Sequence, residues 1–363
     1  MRSASHRSVD RRSRDLRDRA ARVIGSQGIR AAGALPSAPR RRGEARRGCR
    51  SRRGEGRRPL EHAAAVTERR GRGRPAGIFP PIPTPFDSAT GDVAPVLFRE
   101  NIARLLAEGV AGIVVSGSTG EAALLDADEQ RHLVGLAREA LSDGAWLIAG
   151  TGGESTRQTI ASSRAAAAAG ADAVLVRPPS YFSAAATPES LAIHFRAVAD
   201  ASPVPVLIYN IPKYTHLSLA PAFLQQLTSH ERIIGVKDSS GDPKNLAAYR
   251  EAVPQWAVLV GSASLLFTAL ELGCQGGVVG VACFAPRLCV QLLREFEQGH
   301  RAAAGQLQEQ ITPLDKETVG KLGPAGVKAA MDAVGLYGGP PRPPLAPIST
   351  ADRERISALV RGD

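Results

Sequence analysis

Long apolar runs are missing from this chain of 363 residues. No window approaches the roughly 18 consecutive apolar residues of a membrane-spanning helix. No apolar stretch follows the N-terminus as it would in a secretory signal. Cysteine is sparse: Cys49, Cys274, Cys283 and Cys289 form no Cys-x-x-Cys pair and no zinc spacing. That excludes a disulfide framework and a structural zinc site, and it fits a reducing cytoplasm. The histidines beyond residue 74 (His132, His194, His216, His230 and His300) are scattered, with no pair at ligand spacing. A divalent-metal centre is therefore not expected. No Gly-x-Ser-x-Gly elbow is present, which sets aside the serine hydrolases built on that turn. Lysine is scarce too, six against forty arginines.

The net charge of +11 divides unevenly. Residues 1–74 hold 23 Arg, no Lys and seven acids, for +16; the other 289 residues carry −5. The first segment also lacks Phe, Tyr, Trp and Asn, so it cannot bury enough surface to offset its ordering entropy and is expected to be disordered. Arginine in runs such as Arg69-Arg70-Gly71-Arg72 suits a nucleic-acid arm. A mitochondrial transit peptide is opposed by the seven acids and the missing amphipathic pattern. Arg, Gly, Ala and Pro share GC-rich codons, so the preferred reading is a start placed too far upstream, with Val66 a plausible GTG start.

From Gly77 onward short apolar runs alternate with helical patterns. The runs are Gly77–Ile82, Gly112–Ser116, Trp146–Gly150, Ala173–Arg177, Val204–Tyr209, Ile233–Lys237, Val258–Gly261 and Gly277–Val281. Their Val, Ile and Leu without polar alternation suit strands covered on both faces, as in a parallel sheet. Helical periodicity marks Asp126–Leu141, Thr156–Ala169, Pro188–Ala201 and Pro243–Val253. Pro188, Pro221 and Pro243 sit near helix starts, where the missing N–H costs little. Eight βα units predict a (β/α)8 TIM barrel over 75–300, with a C-terminal helical appendage over 301–363. A doubly wound sheet would compete, but no Gly-x-Gly-x-x-Gly follows the first strand.

In such a barrel the chemistry lies at the carboxyl ends of the strands. Those positions hold Ser118, Thr119, Tyr181, Tyr209 and Lys237. Lys237 closes the run Ile233-Ile234-Gly235-Val236, which delivers an ammonium to the barrel mouth. A nucleophilic amine has to be lysine, because arginine does not deprotonate. A free amine attacks a ketone to give a Schiff base. The plain alternative is a strand-end lysine that reaches solvent or pairs with Asp238. A phenol such as Tyr209 or Tyr181 can relay protons, though a lone tyrosine is more often a satisfied core residue. The turn Gly117-Ser118-Thr119-Gly120-Glu121 offers hydroxyls and backbone N–H groups to a carboxylate.

Taken together these stretches resemble the pyruvate-dependent class I aldolases and lyases, the dihydrodipicolinate synthase and N-acetylneuraminate lyase family. The matching segments are Gly77-Ile78-Phe79-Pro80-Pro81 through Thr84-Pro85-Phe86, Gly117–Glu121, Ala149-Gly150-Thr151-Gly152, Tyr209-Asn210-Ile211-Pro212 and Gly235-Val236-Lys237-Asp238-Ser239. They fall in family order over nearly all of 77–350. The resemblance implies an imine between Lys237 and the keto carbon of a pyruvoyl substrate. It implies a carboxylate held by Ser118 and Thr119, proton transfer by Tyr209, and a relay completed by Ser118 and by Tyr181 acting in a neighbouring subunit. It also implies a substrate contact at Gly280, a homotetramer built as a dimer of dimers, and no cofactor, since the protonated imine is itself the electron sink.

One departure bears on the substrate. Where dihydrodipicolinate synthases tend to place an arginine for the second substrate's carboxylate, this chain has Tyr214, with Lys213 beside it expected to point elsewhere. A phenol in place of a bidentate cation forgoes about 1.5–3 kcal/mol if an anion binds there. Phe79-Pro80-Pro81, Gly153-Glu154-Ser155-Thr156, Lys237–Asp242, Gly261-Ser262-Ala263 and Tyr337–Leu345 resemble instead the 4-hydroxy-2-oxoglutarate aldolase branch. In that branch Ser239 would meet a substrate hydroxyl. Three other activities stay open: 4-hydroxy-tetrahydrodipicolinate synthase, a 2-keto-3-deoxy sugar-acid aldolase or dehydratase, and a nucleic-acid-binding protein whose barrel senses a ligand.

Overall fold

The computed structural model describes residues 73–362. The expectations of disorder, a nucleic-acid arm or an upstream start for the N-terminal extension lie almost wholly outside the described residues, as does Cys49. Eight parallel strands form one sheet in the order β1-β8-β7-β6-β5-β4-β3-β2. They are β1 Gly77–Ile78, β2 Gly112–Val115, β3 Trp146–Gly150, β4 Ala173–Val176, β5 Val206–Asn210, β6 Ile233–Asp238, β7 Ala257–Val260 and β8 Gly276–Gly277. The sheet curls until β1 faces β2. That seam is bridged by Val114 N–H to Pro80 O (3.0 Å), Ile82 N–H to Val114 O (3.0 Å) and Ala111 N–H to Ile78 O (2.9 Å).

The ladder of β1 is shorter than the apolar run Gly77–Ile82 suggests. Pro80 and Pro81 have no N–H to donate, so regular pairing stops at Ile78 and only an isolated bridge, Pro81 to Val114, follows. At the opposite edge of β1 its partner β8 is equally short, and the chain soon winds into a 3-10 turn, Gly280–Cys283.

Side chains alternate between two cores, as the two-residue period of a strand requires. Phe79, Val114, Ile148, Leu175, Leu207, Tyr209 and Leu259 fill the barrel interior. Ile113, Val115, Val174, Val176, Val206, Ile208, Val236, Val258 and Val260 belong to the core shared with the surrounding helices. The expected helices are present as Ala127–Ala140, Thr156–Ala168, Pro188–Ala201 and Pro243–Ala252. Asp126 and Thr187 close capping boxes at two of them, Ser155 and Asp242 cap the others, and Pro188 and Pro243 open the helices they precede.

Beyond the eighth unit, Arg301–Leu314 runs through a π-helical segment, Asp315–Gly320, into Lys321–Ala333. Pro313, Gly323 and Pro324 interrupt the regular ladder here. Among the described residues no helix is long and apolar enough to cross a membrane.

Candidate active site

Register places the central pair. Tyr209 on β5 stands opposite Lys237 on β6, and both point inward with Leu207, two residues before Tyr209. Lys237 is 5% exposed, and its Nζ lies 4.2 Å from the centroid of the Tyr209 ring. Among the described residues it has no ion-pair partner. The neighbouring carboxylate is turned away: Asp238 accepts from Asn210 Nδ2 (2.7 Å) and from Ser240 Oγ (2.7 Å) and N–H (3.2 Å). The dipeptides Tyr209-Asn210 and Lys237-Asp238 thus act as a unit. The odd positions face the barrel axis, and the even positions bond each other behind it.

The turn after β2 is built to stay put. Thr84 Oγ1 donates to Gly120 O (2.7 Å), and Glu121 N–H reaches Ser118 O (3.1 Å). Ser116 and Glu121 both adopt positive φ, 51° and 58°, a costly geometry that clusters at functional sites. Gly150 makes the first possible, because a Cβ there would lie 2.0 Å from Ser116 O.

One cavity of about 150 Å³ collects Ser118, Thr119, Tyr209, Lys237, Ser239 and Gly280. That is the share of about five water molecules at roughly 30 Å³ each, the scale of a small organic acid. Of the residues singled out from the sequence, Tyr181 alone is not on this wall. It is 79% exposed, beside the 75% exposed Phe182. A larger groove of about 390 Å³ lies between the outer helices at Arg131, His132 and Ala165, away from every strand end.

The cavity wall also holds residues that strand ends do not reveal. Asp315, Val319 and Gly320 come from the π-helical segment, and Gly323 and Pro324 follow it. Asp315 is fixed there by Ser262 Oγ (2.7 Å), Ser264 N–H (2.9 Å) and Ser264 Oγ (2.8 Å). Pro313, Gly320, Gly323 and Pro324 are the local signal, since helix breakers within a periodic run mark such widened turns. Lys213 lines the rim as well, with Nζ donating to Gly320 O (3.0 Å), rather than pointing away. It follows Pro212, which starts a short turn right at the end of β5. Tyr214 is half-exposed, and burial, with the nearby Tyr209, pushes its phenol up from the ordinary value. It is therefore a neutral donor at the cavity edge.

Among the described residues no three His, Cys, Asp or Glu side chains converge as metal ligands would. His194 bonds Thr156 (2.9 Å), His230 pairs with Asp200 and His300 with Glu295. Cys274, Cys283 and Cys289 are buried free thiols.

A parallel barrel with a buried lysine at a strand end, a tyrosine over its amine and a hydroxyl-bearing turn across the cavity defines a lyase or aldolase that works through a lysine Schiff base. The chain belongs to the dihydrodipicolinate synthetase family, which residues 74–362 match. It is 39% identical over 280 residues to "Probable 4-hydroxy-2-oxoglutarate aldolase, mitochondrial" of Emericella nidulans, covering 75% of this chain and 90% of that one. It is 37% identical over 281 residues to the 4-hydroxy-tetrahydrodipicolinate synthase of Synechococcus elongatus, covering 76% and 92%. The crystal structure of YagE, a prophage protein of the dihydrodipicolinic acid synthase family from E. coli K12 in complex with pyruvate, superposes with a TM-score of 0.74 at 29% identity, over 79% of this chain and 98% of that one.

Proposed function

We propose that this protein cleaves 4-hydroxy-2-oxoglutarate to pyruvate and glyoxylate through an imine on Lys237. The observation that carries the chemistry is the buried amine of Lys237 against the Tyr209 ring, without an ion-pair partner among the described residues. The Lys237 amine adds to the C2 ketone, and the carbinolamine loses water to give the protonated imine. Ser118 and Thr119 hold the adjacent carboxylate with hydroxyl and N–H donors. Tyr209 gives its phenol proton to the departing water of the carbinolamine and, as the phenolate, takes the proton of the 4-hydroxyl as the C3–C4 bond breaks; the bond's electron pair moves into the imine to give an enamine. Protonation at C3 and hydrolysis then release pyruvate and the free lysine. Ser239 donates to the 4-hydroxyl and orients it. Tyr181 of a second copy, with Ser118, passes protons between Tyr209 and solvent, in a homotetramer built as a dimer of dimers and working in the cytoplasm.

Choice of the aldolase branch is supported by the neutral Tyr214 at the cavity edge, where a synthase would profit from a guanidinium. The second reading, condensation of pyruvate with aspartate semialdehyde, is supported by synthase relatives of nearly equal identity. Both begin with the same imine.

The deciding experiment is borohydride reduction of the full chain with pyruvate, read by peptide mass spectrometry, with Lys237→Ala in parallel. A reduced adduct on Lys237, absent from the variant, is expected. Turnover of 4-hydroxy-2-oxoglutarate is then compared with that of aspartate semialdehyde plus pyruvate and of 2-keto-3-deoxy sugar acids. Faster condensation than cleavage overturns the branch, and a folded protein without an adduct overturns the Schiff base itself.

A further inference from the structure

Glu154 makes an unusual set of contacts for a surface glutamate. Its Oε2 accepts the backbone N–H groups of Ser180 and Tyr181, each at 2.8 Å. Its Oε1 accepts Arg177 Nη2 (2.8 Å) and Ser180 Oγ (3.1 Å). Four donors from the loop after β4 thus converge on one carboxylate of the loop after β3. Partial burial works to raise its pKa, but the two N–H bonds and the Arg177 guanidinium outweigh it and bring it to about 2, so the clasp is ionised at every working pH.

A clasp of this strength at a surface calls for a reason. The loop tip it holds carries Tyr181 and Phe182, 79% and 75% exposed, ring centroids 4.9 Å apart and nearly perpendicular. Two adjacent aromatic rings in water are a poor resting state for a loop with no other task. The cavity around Lys237 is lined by strand ends, the turn after β2 and the C-terminal helical segment of the same chain but takes nothing from this tip. Tyr181's own N–H is one of the four donors, so its backbone is fixed and only its side-chain torsions remain free. Ordering a contact residue before docking removes part of the entropy cost of association.

We infer that Glu154 is a positioning residue that acts in trans: it holds Tyr181 in the geometry with which the tyrosine enters the site of a second copy of this chain. This rests on the Schiff-base reading above. Its effect on a given Lys237 therefore comes from the neighbour's Glu154, not from the Glu154 of the same chain.

Glu154→Gln in the full chain tests this. The amide keeps the shape but puts a donor against either two N–H groups or a guanidinium and a hydroxyl. With an unchanged Tm, kcat is expected to fall by about tenfold or more, towards the roughly hundredfold minimum attributed to a lost proton relay, with KM little changed. In a Tyr181→Phe background the same substitution is expected to add less than about twofold, because the two act through one group. Pyruvate capture on Lys237 stays at the wild-type extent. Co-assembly of Glu154→Gln chains with Lys237→Ala chains restores turnover, since intact lysines then meet well-held tyrosines from the other chain. An unchanged kcat, a loss that multiplies fully with Tyr181→Phe, or no recovery on co-assembly would each overturn the assignment. Absence of a pyruvate adduct in the wild type is a different failure, that of the Schiff-base reading.

Discussion

Replacing Lys328 by Met is expected to destabilise the protein severely, and the pair it breaks lies at the end of the Ser118–Glu121 turn. Lys328 and Glu121 have side chains 1% and 0% exposed, with Nζ to Oε1 at 2.5 Å. The ammonium also donates to Pro340 O (2.8 Å) and sits 4.4 Å from the Phe86 ring centroid. Glu121 Oε2 accepts Arg342 N–H (2.8 Å). Burial pushes the Lys328 amine below its ordinary value while Glu121 and Asp332 oppose that. Met fits the volume but leaves a carboxylate without its cation in an apolar setting, a loss of about 3–5 kcal/mol. At roughly 2–4 °C per kcal/mol for a domain of this size, Tm should drop by roughly 6–20 °C. Urea unfolding of Lys328→Met, Glu121→Gln and the double variant gives the coupling by a double-mutant cycle. A destabilisation by Lys328→Met below about 1 kcal/mol, or strictly additive losses, would refute the argument that the pair must be kept or lost together. Because Glu121 ends the Ser118-Thr119 turn, KM for the 2-oxo acid should rise in the same variants.

Two further outcomes follow from the geometry. Burial lowers His194 from 6.5 to about 4. The unfolded chain therefore takes up a proton that the fold refuses between those values, and stability falls as pH drops through that window, by about 2–3 kcal/mol at pH 4.5. His194→Gln should flatten this slope in denaturant titrations at pH 7 and 4.5; an identical slope would mean that the ring charges freely in the fold. Gly261→Ala places a Cβ 1.9 Å from Ser239 Oγ and 2.9 Å from both Ser239 Cβ and Asp238 O, so the Ser239 hydroxyl is displaced and the backbone just past β6 has to give as well. Turnover of a 4-hydroxy-2-oxo acid should lose about tenfold in kcat/KM, the scale of one hydrogen bond, while pyruvate capture is kept. Equal losses in both would show that the serine does not read the hydroxyl.

What was legible in the sequence is what local pattern controls. Runs such as Trp146-Leu147-Ile148-Ala149-Gly150 declare buried strands because no polar residue alternates with the apolar ones. The helix starts at Pro188 and Pro243 are set by the missing N–H of proline. Lys237 stands out for the same reason: it is one of six lysines, and the strand register that carries it inward is fixed by its own neighbours. The short ladder of β1 is written in Pro80-Pro81, which lack the N–H to continue it, although the apolar run Gly77–Ile82 is longer.

The remainder depends on contacts between residues far apart in the chain. Lys328 in the run Val327-Lys328-Ala329-Ala330-Met331 could be seen as an odd charge among apolar residues. Its partner, Glu121, is more than two hundred positions away, and nothing local names it. Asp315, Val319 and Gly323 reach the cavity because the C-terminal helices pack over the barrel mouth, and Lys213 reaches its rim because Gly320 O is there to receive it. The sequence by itself determined the barrel, its strand ends and the inward place of the Lys237 amine, since periodicity and proline chemistry act over a few residues. Tertiary structure decided the outer wall of the cavity, the ion pair at the end of the Ser118–Glu121 turn and the Glu154 clasp that presents Tyr181 outward, because each is a meeting of groups that only the closed fold brings within bonding distance.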